Sequence, residues 1–182
     1  MIKFTSDILL FECIPSGNHP EKDQAIEASA ILLDKSNFLE KAFYSKPIKT
    51  SLLDSVLTRH SELTGRSIEE FRKASRSINV AREFFQLFES DYILACYQPK
   101  SYTYLQRFAY KNGLQSKIDN QQVFSIWTIA YFYSRIVGLR KQPAFDTLLE
   151  ICGITEKPKS TLDYLRTQAK ILEKITEKIT DL

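Results

Sequence analysis

The sequence predicts an α/β fold: a five-stranded mixed sheet, three antiparallel strands leading and parallel strands following, with helices on both faces. Three observations predict it. Two apolar runs, 8–14 (ILLFECI) and 25–33 (AIEASAILL), flank the turn-rich stretch Pro15-Ser16-Gly17-Asn18-His19-Pro20, the pattern of a β-hairpin. The spacings between the first three strand candidates are short, which favours an antiparallel meander. After Pro47, helical periodicities are interleaved with two further short apolar runs, the order of a mixed sheet covered by helices.

The totals set the bounds. At 182 residues the chain reads as one domain, 1–182, with 160–180 as a C-terminal helix, and it is long enough for a sizeable core. The apolar share of 43% and charged share of 26% are those of a soluble globular protein. No apolar run approaches the ~20 residues needed to cross a bilayer, so no membrane role is expected. The first apolar run is broken by Glu12, so it does not read as a signal peptide. Cys13, Cys96 and Cys152 share no paired spacing and sit in apolar surroundings, the setting of buried reduced thiols; a cytoplasmic location is expected. A net charge of +3 permits nucleic-acid binding without demanding it.

The third strand is placed at 37–45 (NFLEKAFYS), rich in aromatics and partly alternating. Leu52, Leu53, Val56 and Leu57 lie on one face of a short helix capped by Thr50 or Ser51. Residues 61–67 (SELTGRS) read as a loop, and Ser67 with Glu70 forms a capping box for a helix over 68–75. A stronger helix at 77–89 puts Ile78, Ala81, Phe84, Phe85 and Phe88 on one face. A buried strand at 92–96 follows, then a helix at 100–112 with Tyr104, Leu105, Phe108 and Ala109 inward and Gly113 as its stop. Residues 123–127 form a fifth strand that runs into a helix ending near Gly138. Pro143 opens a helix at 143–152 closed by Gly153. Ser160 opens the last helix, whose Leu162, Leu165, Ala169, Leu172, Ile175 and Ile179 form a stripe. That stripe either covers the sheet or pairs with a second copy in a homodimer.

His19 and His60 have no partner at metal spacing and read as surface residues. Tyr97, Tyr102, Tyr104 and Tyr110, with Lys100, Arg107 and Lys111, interleave aromatic and basic character, which suits stacked bases and held phosphates as well as core packing. Glu12, at the exit of the first strand, sits where a rigid strand presents a carboxylate to a loop.

This order and several local patterns resemble the DEDD family of 3′–5′ exonucleases, the DnaQ-like group on a ribonuclease H-like fold. LLFECIPSG and QAIEASAILLD match the family's first motif: Glu12 falls on the first catalytic acid, Ile14 on the second, Gly17 on the motif glycine and Glu27 on the second-strand glutamate. SELT at 61–64 resembles the loop that packs Leu63 and Thr64 against a terminal nucleotide. ILACYQPKSYTYLQRF matches the next motif in length, with Cys96 and Tyr97 in place of His-Asn and Ser101 in place of the third acid. In ICGITEKPKSTLDYL, Lys159 stands at the histidine position and Tyr164 at the fourth acid, with Asp163 one residue early.

The chemistry that the resemblance implies needs four carboxylates converging on two divalent metals, which activate water and neutralise phosphate charge. Here Ile14, Ser101 and Tyr164 occupy three of the four positions, and isoleucine offers no ligand. The expectation is therefore a degenerate exonuclease-like module without a cofactor, binding single-stranded nucleic acid or a protein partner near Leu63, Thr64, Tyr97 and Lys100. Lys159 is expected beside Glu12, a positive charge where a metal would sit. One alternative is an active Mg2+- or Mn2+-dependent exonuclease with shifted ligands, Glu12 and Asp163 together with Asp7 or Asp119. Another is a protein-interaction scaffold without nucleic acid.

Overall fold

The computed structural model describes residues 4–19, 21–119, 121–139 and 144–180. Five strands form one sheet in the order β3-β2-β1-β4-β5. β1 (Ile8–Pro15), β2 (Ala25–Leu33) and β3 (Glu40–Pro47) are an antiparallel meander; β4 (Ile93–Cys96) pairs parallel with β1, and β5 (Val123–Ser125) parallel with β4. The predicted class, the succession of strands along the chain and the mixed pairing are all present.

Alternation along β1 divides the core. Ile8 and Leu10, with Ile31, Leu33 and Ala95, meet α5 (Ile126–Ile136), α6 (Phe145–Cys152) and α7 (Thr161–Thr180) on one face. Leu9, Phe11 and Cys13, with Ala28, Ala30 and Leu94, meet α3 (Ser77–Gln86) and α4 (Pro99–Lys111) on the other. There Phe84 makes ring contacts of 5.4–6.3 Å with Phe85, Phe88 and Phe108. Leu165, Leu172 and Ile175 of α7 are fully buried, so this part of the stripe covers the sheet, while Leu162 and Ile179 at its ends are partly buried.

Four local expectations need correction. β3 begins at Glu40 rather than 37, because the Asp34 carboxylate accepts hydrogen bonds from the backbone N–H groups of Ser36 and Asn37 and folds 34–39 into a turn, with Phe38 at φ 56°. The first helix, α1 (Asp54–Thr64), starts after Thr50 and Ser51, with Leu53 as its N-cap; Thr50 Oγ1 instead accepts from the Leu52 N–H and the Gln24 amide. Residues 61–64 are not a loop but the last turn of α1, ended by Gly65 at φ 71°. The helix at 77–89 is regular only to Gln86 and finishes in a 3-10 turn, Leu87–Glu89. The capping box at Ser67 and Glu70 is present and opens α2 (Ile68–Lys73). Pro143 and the residues around it lie outside the described residues.

Between α1 and α2, Arg66 reaches down to the sheet. Its Nε donates to Glu27 Oε2 at 2.8 Å and its NH2 to Ser45 Oγ at 2.7 Å; Ser29 and Ser45 hydroxyls donate to Glu27 Oε1. Glu27 is 1% exposed, so its charge is met entirely by protein. Arg66→Ala leaves that carboxylate buried and unpaired, a loss of about 3–5 kcal/mol, expected as a lower urea midpoint with an unchanged slope.

Candidate functional site

β1 and β4 run parallel and both open toward the same edge, the place where open α/β sheets hold ligands. Pairing between them ends at Leu10 and Ala95, and β1 continues beyond it. Glu12 and Ile14 are on that continuation, on the same side of the strand as Leu10 by alternation. Tyr97 follows β4, its carbonyl accepting from the Trp127 N–H and the Ser125 hydroxyl, each at 2.9 Å.

Glu12 is 7% exposed, and its Oε2 accepts a hydrogen bond from Ser101 Oγ at 3.2 Å. Burial drives its pKa up from 4.5 to about 7, with the Ser101 hydroxyl and the Cys13 backbone N–H pulling it partly back. Its charge is felt in turn by Cys13, Cys96 and Tyr164, all of which burial already pushes up, Cys96 to about 12. These thiols are inert as nucleophiles.

The other vestigial positions hold no ligands around it. Ile14 packs with Ile26, Leu57 and Phe71 under α1 and α2. Tyr164 joins a cluster of three rings, 4.9 Å from Phe145 and 6.0 Å from Tyr97 between centroids. Ser101 supplies the one hydroxyl. Lys159, expected beside Glu12, instead lines a surface cleft with Lys157, Asp163, Arg166 and Lys170, and it makes no ion pair with Glu12 among the described residues. The reason is local: Lys159 precedes α7, and its backbone packs against Gly65. Asp163 shares that cleft, 3.9 Å from Arg166, rather than the crevice. Asp7, before the first residue of β1, is held by Lys41 at 2.9 Å, and Asp119 lies on the surface after a 3-10 turn. Among the described residues no three His, Cys, Asp or Glu side chains gather around one point. The residues present do not fit a pair of divalent metals, which demand several converging oxygens. The alternative set of Glu12, Asp163 and Asp7 or Asp119 is not brought together.

The expected binding residues divide differently. Leu63 is 57% exposed on the rim of a cleft of about 560 Å³ that also involves Ile14, Gly17, Val56, Arg59 and His60. Thr64 is buried and turns its hydroxyl back to the His60 carbonyl at 2.7 Å, so it serves the helix end rather than a ligand. Tyr97 is 4% exposed inside the ring cluster and presents no face to a base. Lys100 is exposed and sits over the Tyr104 ring at 5.5 Å, while Tyr104 donates to the Gly17 carbonyl at 3.1 Å. Those contacts link Lys100, through Tyr104, to the Gly17 loop that lines the cleft, but Lys100 itself is not one of the lining residues. His60 is buried rather than a surface residue: it donates Nε2–H to the Ser16 carbonyl at 3.1 Å, leaving Nδ1 unpartnered.

Arg59 escaped the sequence reading, and His60, expected at the surface, is buried. Extending the periodicity of Val56 by three, four and seven places Arg59, His60 and Leu63 on one face, a signal hidden by taking 61–64 as a loop. The arrangement offers an apolar wall (Ile14, Val56, Leu63) with Arg59 among its lining residues, and Lys100 lies beyond it at the start of α4. Arg59 makes no ion pair or hydrogen bond among the described residues. An apolar wall with cations near it can hold a planar base and its phosphates.

The buried carboxyl of Glu12 has a measurable consequence. Folded, Glu12 keeps its proton up to about pH 7; unfolded, it loses it near 4.5. Between those values the folded chain holds one more proton, so stability falls as pH rises through the window, by about 3 kcal/mol in all. Glu12→Gln is expected to flatten this slope and to raise the urea midpoint above that of the unaltered chain at about pH 8, with the two converging near pH 4.

Neither a protein-family model nor a curated protein sequence matches the chain. Solved structures do. The nuclease domain of 3′hExo, a DEDDh family member, bound to rAMP, superposes with a TM-score of 0.75 at 17% identity, covering 97% of this chain and 95% of that one. The cell-death related nuclease 4 (CRN-4) gives a TM-score of 0.71 at 15% identity over 95% of this chain and 64% of that chain. E. coli Exonuclease I in complex with a dT13 oligonucleotide gives 0.70 at 16% identity, over 97% of this chain and 43% of that one. The chain has the ribonuclease H-like fold of the DEDDh 3′–5′ exonucleases.

Proposed function

We propose that the chain is a catalytically degenerate relative of the 3′–5′ exonucleases that binds single-stranded nucleic acid without cutting it, and that it works without a metal cofactor. One observation carries the reading: where the resemblance calls for four converging carboxylates, Glu12 is alone with the Ser101 hydroxyl, and Ile14 and Tyr164 belong to apolar clusters. A carboxyl kept neutral to about pH 7 by burial neither binds a divalent ion well nor repels a phosphate strongly. The binding half of the reading is supported by the cleft beside Leu63 and by the oligonucleotide and rAMP held by proteins of the same fold. A terminal base packs against Leu63 and Val56, while Arg59 and Lys100 hold its phosphates. The three buried thiols suit a reducing cytoplasmic setting.

The test is a 5′-labelled single strand, DNA or RNA, titrated with the protein with and without Mn2+. Binding is expected to weaken with salt and the strand to keep its length in either ion condition. Leu63→Ala is expected to weaken binding about tenfold, the scale of one lost base contact. Metal-dependent shortening would restore the enzyme reading, and absence of binding would leave a protein-interaction scaffold.

A further inference from the structure

A second cleft, of about 450 Å³, lies between the 154–159 segment and the start of α7. Asp163, Arg166, Thr167 and Lys170 recur at three- and four-residue intervals, so one face of α7 forms its wall. Lys157 and Lys159 come from the segment before the helix. The cations in it are not equivalent. Arg166 forks onto Glu40 with bonds of 2.9 and 3.0 Å, and Lys157 lies 3.3 Å from Asp146. Lys159 and Lys170 have no carboxylate within ion-pair distance among the described residues, so their charge is available to an incoming anion.

The two clefts have no lining residue in common, but the segments that border them touch. A Cβ built on Gly65 would stand 2.9 Å from the Lys159 carbonyl oxygen and 3.1 Å from Ser160 Cβ, so the end of α1 and the entry to α7 touch backbone to backbone. Leu63, two residues before Gly65, edges the first cleft; Lys159 edges the second.

We propose that the second cleft continues the single-strand site, with Lys159 and Lys170 holding backbone phosphates of nucleotides that follow the one seated on Leu63. The inference rests on the nucleic-acid reading above. A lysine is a point charge to a phosphate and reads no base, so this stretch adds affinity with strand length and adds no sequence preference. A polyanion with charges at one-residue intervals suits two clefts whose borders touch better than a folded acidic surface does.

Both lysines are exposed, so the double variant Lys159→Gln, Lys170→Gln keeps the fold, checked by an unchanged urea midpoint. Thymidylates of two and about ten nucleotides, a length within the range of single-strand sites, are titrated by fluorescence anisotropy at several salt concentrations. The unaltered protein is expected to bind the longer strand more tightly than the dinucleotide. In the variant that gain disappears, the slope of log K against log salt becomes shallower by about 1.4, the value for two lost phosphate contacts on a single strand, and dinucleotide affinity is unchanged. Unchanged binding of the longer strand by the variant overturns the proposal. Failure of the parent reading looks different, because then neither strand binds the unaltered protein. Inorganic tripolyphosphate titrated into 15N-labelled protein then decides: amide shifts confined to 157–170 and lost in the variant sustain an anion site, and their absence ends it. A hexaglutamate peptide that shifts those amides when the thymidylates do not would assign the cleft to an acidic protein and overturn the nucleic-acid assignment.

Discussion

A carboxylate in the middle of a sheet has to be met by something, and at Glu27 that something is Arg66. The residue sits on β2, fully enclosed, with Arg66 and the hydroxyls of Ser29 and Ser45 around it. Arg66 also donates to the Ser45 carbonyl on β3 and lies 3.3 Å from Glu70 on α2. One guanidinium thus ties two strands to the junction of two helices. Because Arg66 directly follows Gly65, the same anchor fixes where α1 stops. The position of Leu63, the outward face carrying Arg59 and the contact between Gly65 and Lys159 all follow from it.

At the sheet's edge, the positions that the resemblance assigns to acidic ligands are occupied by packed side chains. Ile14 does not merely fail to bind an ion; it contributes to a hydrophobic cluster under α1 and α2. Tyr164 does the same with Tyr97 and Phe145, and its side chain occupies space beside Glu12. Apolar filling raises the cost of a charge there, which is why the remaining carboxyl favours its protonated form over so wide a range. The polar equipment lies elsewhere: Arg59, Lys100, Lys159 and Lys170 are outside the filled centre.

The sheet was legible because burial on both faces leaves near-continuous apolar strands, as in ILLF and AILL, and because the loops between them are too short for anything but a meander. The helices were legible where one face is apolar, as at Phe84, Phe85 and Phe88. The end of α1 was not, because its inward residues are His60 and Thr64, polar types whose burial depends on partners elsewhere in the chain or one turn back. The Glu27–Arg66 pair was invisible for the same reason, its members being 39 positions apart. Tyr97 and Lys159 misled in opposite senses: a ring amid cations proved to be core, and a lysine aligned with a catalytic position proved to face outward.

The meeting of Gly65 with Lys159 and Ser160 involves main chain on both sides. Side chains on either bank can therefore be exchanged without moving the banks apart. Substitutions that keep the glycine can alter the lining of either hollow while the distance between the two stays constant.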